Sequence, residues 1–99
     1  MDIKELQKES VEIVEKSDIK YGKKHDTDTT IIHLTEEIGE VAREIFNEKI
    51  GRDKLNRENM GEEIADCIIL LNKLADNFNI DVEKAIENKI NKLKQRFNS

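Results

Sequence analysis

Residues 60–78 read MGEEIADCIILLNKLADNF, and they decide the fold class. Met60, Ile64, Cys67, Leu71, Leu74 and Phe78 recur in steps of three and four, the period of an α-helix. Between Ile64 and Leu71 only Asp66 is polar, so this helix is apolar almost all round and is expected at the centre of a bundle. Upstream, Ile31, Leu34, Ile38, Val41 and Ile45 make a second stripe with the same period, and downstream Val82, Ile86, Ile90, Leu93 and Phe97 make a third. Near the start, Ile3, Leu6, Ile13 and Val14 make the remaining one, opened by Asp2 with Glu5 three residues on, a capping-box spacing. Asp81 is the expected N-cap of the last helix. The segment from Tyr21 to Asp28 (YGKKHDTD) has no period and reads as a loop, and the polar stretch from Lys49 to Arg57, with Gly51, reads as a turn.

Composition agrees. The chain has 99 residues, no Pro, 4 Gly, 4% aromatic and 39% charged residues. That length holds one hydrophobic core, so a single domain over residues 1–99 is expected. Collagenous, disulfide-rich and β-sandwich folds are excluded, because each needs Gly, Cys or turn residues the chain lacks. The longest purely apolar run, Cys67 to Leu71, is far short of a membrane span, and Asp2, Glu5 and Glu9 do not fit a secretory leader. One cysteine, Cys67, forms no internal disulfide, which suits a reducing, cytoplasmic setting. A net charge of −5 argues against nucleic acid as the main partner. The expectation is an all-α, compact four-helix bundle that oligomerises through its helices, since so small a core is marginal alone.

Two pairs of acids stand out by position. Glu37 and Glu40 lie three apart on the flank of the second helix's apolar stripe, and Glu63 and Asp66 repeat this on the third. Asp66 opens an apolar stretch, where a carboxylate is costly unless paired or bound to a cation. Packing the two helices antiparallel sets the pairs face to face. Two carboxylates about 4 Å apart repel by roughly 4 kcal/mol at an effective dielectric near 20. Protons or divalent cations relieve this, and oxygen ligands select Mg²⁺ or Mn²⁺ over zinc. Acids at this spacing also arise by composition alone. With 22 acids present, Glu9 with Glu12 and Glu12 with Glu15 do the same on solvated faces.

The string HLTEEIGEVAREIF (33–46), followed by GEEIADCIILLNKLA (61–75), resembles the MazG-like family of all-α nucleotide pyrophosphohydrolases. The family pattern is Glu-Glu-x-x-Glu, a spacer, then Glu-x-x-Asp; Glu36, Glu37 and Glu40 fill the first part, Glu63 and Asp66 the second. The tail NKLKQRF (91–97) resembles the basic ending of family members, so the likeness runs from His33 to Phe97. It implies hydrolysis of a nucleoside triphosphate to the monophosphate and pyrophosphate. It also implies Mg²⁺ (or Mn²⁺) held by Glu37, Glu40, Glu63 and Asp66. Glu36 is given a water-orienting role. Lys92 and Arg96, with Lys89 on the same stripe, are expected near the triphosphate, though cations in a last turn also favour the helix dipole. His33, one turn before Glu37, either faces the site or lies on the helix surface.

Base recognition is less defined. Without Trp, Tyr21 and Phe46 are the aromatics open to stack a base, Phe78 and Phe97 being assigned to the core. Leu93 stands where some relatives carry Asn, which disfavours pyrimidine-specific activity. Two alternatives compete. A phosphoribosyl-ATP pyrophosphatase is disfavoured because Ile69 and Leu70 stand where Tyr-His is expected. The other is a non-catalytic helical module that binds metal or nucleotide.

Overall fold

A computed structural model describes residues 1–98 and shows four helices: α1 (Ile3–Tyr21), α2 (Thr27–Lys49), α3 (Arg57–Asn77) and α4 (Val82–Asn98). Each start is fixed by a short polar side chain. The Asp2 carboxylate accepts the Glu5 N–H at 2.8 Å, Asp26 that of Thr29 at 2.9 Å, and Asn56 that of Asn59 at 3.0 Å. Asp81 caps α4 as its sequence position implies, accepting the Lys84 N–H at 3.1 Å. The Thr29 N–H and hydroxyl hold the Asp26 carboxyl below the usual carboxylate range. At the ends of α1 and α2 the chain turns through the left-handed region at Gly22 (φ 63°) and Gly51 (φ 74°). The Lys23 N–H then reaches back to the Asp18 carbonyl at 2.9 Å, and that of Arg52 to Asn47 at 2.9 Å.

The 21–28 loop is shorter than the sequence suggests. Tyr21 closes α1, and Thr27 and Asp28 already belong to α2, because Asp26 supplies an N-cap that carries no hydrophobic period.

Helix α3 lies in the middle, packed on one side by α2 and on the other by α1. The α1–α3 seam carries polar pairs. Asn72 donates to the Ser10 hydroxyl at 3.2 Å, and Lys73, 8% exposed, lies 3.9 Å from Glu15. Val14, Leu34 and Leu70 form the buried apolar core. Helix α4 leans on α1, where both ends of the Gln7 amide tie down the α3–α4 turn: Nε2 donates to the Ile80 carbonyl and Oε1 accepts the Val82 N–H.

The fold is therefore the all-α four-helix bundle expected, with a more open outline than a globular chain of this length. Its radius of gyration is 16.2 Å, against about 13 Å for a globular chain of this length. The cause is that α4 does not close over the core. Phe97 is 75% and Phe78 59% exposed, so neither is the core residue its position in a stripe implied. Likewise α3 is not enclosed on all sides, since Ile64, Ile68 and Leu71 remain open. Among the described residues no helix is long and apolar enough to cross a membrane.

Candidate functional site

The α2–α3 pair runs antiparallel, with Glu44 facing Asn59 and Glu63 near one end and Glu37 facing Cys67 nearer the other. This is the arrangement that the two acid pairs imply. Glu63 meets the charges of Glu44, Glu40 and Glu37 across the seam. Burial, then the Glu44 carboxylate, then Glu40 and Glu37 raise the Glu63 pKa above the ordinary glutamate value of 4.5. The Oε2 atoms of Glu63 and Glu44 are both buried without a hydrogen-bond partner. Two ionised carboxylates offer only acceptors, so such atoms need a proton or a cation between them.

Glu44 is a member of this cluster that sequence reasoning missed. It follows Glu37 and Glu40 at i+7 and i+4, on the same side of α2, and that spacing was the available signal. Cys67 also faces the acids. Burial, then the charges of Glu37, Asp66 and Glu63, push its thiol up and keep it neutral.

Asp66 and Glu37 line a cavity of about 270 Å³ between α1, α2 and α3. Ile13, Val14, Ile69 and Leu70 form its apolar wall, and Ser17, His25 and His33 complete its polar one. Glu40 is exposed on α2 beside the seam. Glu36 points elsewhere, sharing an outer concavity with Lys23, Lys24, His25 and His33. Lys23 and Lys24 are thus cations close to the acidic motif that the sequence reading passed over as loop. Lys89, Lys92 and Arg96 are exposed on α4, and none of them lines the cavity.

His33 lines the cavity beside Glu37. Its Nε2 lies 3.2 Å from Glu37 Oε1, and its Nδ1 lies 2.9 Å from Nε2 of His25. His25 Nδ1 lies 2.7 Å from Asp18 Oδ1, and the His25 backbone N–H donates to Asp18 Oδ2 at 2.9 Å. Asp18 and Glu37 are 14% and 15% exposed, so both carboxylates need these partners. An ionised carboxylate only accepts, so the ring nitrogens facing Asp18 and Glu37 are the donors.

The carboxylate oxygens of the seam suit a hard divalent cation, and Oε2 of Glu63 is buried without a hydrogen-bond partner. Among the described residues no three His, Cys, Asp or Glu side chains are gathered as tightly as a bound metal draws its ligands.

Comparison with protein families matches residues 25–99 to the MazG nucleotide pyrophosphohydrolase domain. No curated protein and no solved structure matches the chain. The matched stretch begins at His25 and takes in His33 and every carboxylate of the α2–α3 seam. A match over three-quarters of the sequence settles the relationship: the chain belongs to the MazG family of nucleotide pyrophosphohydrolases.

Proposed function

We propose that the chain hydrolyses nucleoside triphosphates to the monophosphate and pyrophosphate, with Mg²⁺ or Mn²⁺ held by Glu37, Glu40, Glu63 and Asp66. The observation that carries this reading is the Glu63 carboxylate, which faces three acids with one oxygen buried and unpartnered. A divalent cation there supplies charge neutralisation for the phosphate oxygens and acidifies a bound water.

The chain's own groups supply the rest. The Ile13, Val14, Ile69 and Leu70 wall keeps bulk water from one side of the cavity and gives a planar base an apolar surface. Lys23 and Lys24, beside His33 and Glu36, meet the outward phosphate charge. Tyr21, exposed one turn past Ser17, has its ring 5.7 Å from the Lys23 ammonium, whereas Phe46 lies three turns beyond His33 on α2. Lys89, Lys92 and Arg96 join the site if α4 of a second copy is placed over it.

The test is a panel of canonical and modified (d)NTPs with Mg²⁺, scoring pyrophosphate against orthophosphate. Pyrophosphate with the monophosphate is expected. Orthophosphate release would overturn the reaction class, and silence from folded, metal-loaded protein would transfer the reading to the non-catalytic module.

The open apolar faces support association between copies of this chain. Ile31, Ile38 and Ile45 stand exposed along α2, Ile64, Ile68 and Leu71 along α3, and Ile86, Ile90 and Phe97 along α4. Such continuous stripes are rare on monomers. A dimer or tetramer mass is expected by size exclusion with light scattering; a monomer mass at micromolar concentration would reject this.

A further inference from the structure

The chain Asp18–His25–His33–Glu37 joins α1, the interhelical loop and α2 through three side-chain contacts of 2.7, 2.9 and 3.2 Å. We propose that Asp18 and His25 are positioning residues which, acting through His33, hold the Glu37 carboxylate in the orientation that accepts a divalent cation. This rests on the metal reading given above.

The geometry argues for a device rather than a chance contact. His33 is 40% exposed on the surface of α2, and alone its ring would be free to turn away from Glu37. His25 prevents this by engaging the inner nitrogen, with the two rings 5.1 Å apart and tilted by 32°. His25 is itself held twice by Asp18, once through the ring and once through the backbone. Asp18 sits in the last turn of α1, next to the carbonyl-anchored turn at Gly22, so its own position is set by the helix end. Every ring nitrogen in the chain has a partner within hydrogen-bond distance, and each contact restricts the rotamer of the next residue. The loop between α1 and α2 is thereby tied to one oxygen of Glu37, which leaves the other carboxylate oxygen for a cation. Groups that orient a metal-binding side chain in this way commonly change affinity by about 10–100-fold when removed.

A purely structural role, in which Asp18 and His25 only pin the loop, is separable by a double-mutant cycle. Mn²⁺ affinity is read directly from the electron paramagnetic resonance of the free ion, without turnover. His25→Ala is expected to weaken Mn²⁺ binding about tenfold with helical circular dichroism unchanged. The same change made on His33→Leu is expected to add nothing, because the connection to Glu37 is already cut. An unchanged Mn²⁺ Kd in His25→Ala, or an equal loss in both backgrounds, overturns the proposal. Wild-type protein that binds no Mn²⁺ defeats the metal reading itself, which is a different result from a wild type and a variant that bind alike.

A second measurement needs no variant. With ¹⁵N-labelled histidine, Mg²⁺ is expected to shift the ring nitrogens of His25, although His25 does not touch Glu37. Ring resonances of His25 that stay fixed while Mg²⁺ saturates the site exclude the coupling.

Discussion

Asp66→Asn is expected to lower turnover on the order of a thousandfold while leaving the helical circular dichroism unchanged. Asp66 is exposed at the cavity, so the isosteric amide disturbs no packing. What it removes is one negative charge opposite Glu37, and with it the anionic oxygen proposed above as a metal ligand. If that carboxylate neutralises charge through a cation, several kcal/mol of transition-state stabilisation go with it, and each 1.4 kcal/mol is tenfold in rate. Glu12→Gln provides the control, since Glu12 sits on the exposed face of α1. Retained pyrophosphate release in Asp66→Asn, under conditions where Glu12→Gln is unaffected, would show that the α2–α3 carboxylates do not perform the chemistry.

How much of this was legible in the sequence depends on the kind of signal. The helices were, because a 3.6-residue period and capping side chains are local properties, and Asp2 and Asp81 both cap where a short polar residue precedes an apolar one. Which side of a stripe is covered was not. On α2, Leu34 is buried and Val41 half-buried, while Ile31, Ile38 and Ile45 of the same stripe stay open. A period marks the apolar face of a helix, but only the neighbouring helix decides which edge it covers. Phe97 fails for the same reason, since α4 has no second helix against its stripe.

The site divides in a similar way. The facing acids were readable, because spacing on two helices and an antiparallel turn place them. Glu44 escaped because one more acid at i+4 is unremarkable in a chain with 22 of them. Asp18 and His25 escaped for a different reason. Their pairing spans a helix end and a loop, and no periodicity connects residues 18, 25 and 33. It arises because the Gly22 turn folds the loop back onto the last turn of α1.

Millimolar Mg²⁺ or Mn²⁺ is expected to raise the Tm by about 10 °C or more at neutral pH, and EDTA is expected to reverse it. A ligand present at 100 times its Kd stabilises the folded state by about 2.7 kcal/mol, and about 1 kcal/mol moves the Tm of a domain this size by 4–8 °C. The metal-free protein should show a pH dependence that explains the effect. The raised pKa of Glu63 means that the folded chain binds its proton more tightly than the unfolded chain does. Its contribution to stability is therefore greatest in acid and is lost as pH rises from the ordinary glutamate value of 4.5 through the raised one. A cation replaces the proton, so saturating Mg²⁺ should flatten that loss. Glu63→Gln separates the two: it should raise the metal-free Tm at neutral pH, since it removes the repulsion from Glu44, Glu40 and Glu37, and it should abolish most of the Mg²⁺ response. A metal-free Tm that falls in Glu63→Gln would mean that the carboxylate is held by partners in the fold. A full Mg²⁺ response in that variant would place the cation away from the α2–α3 seam.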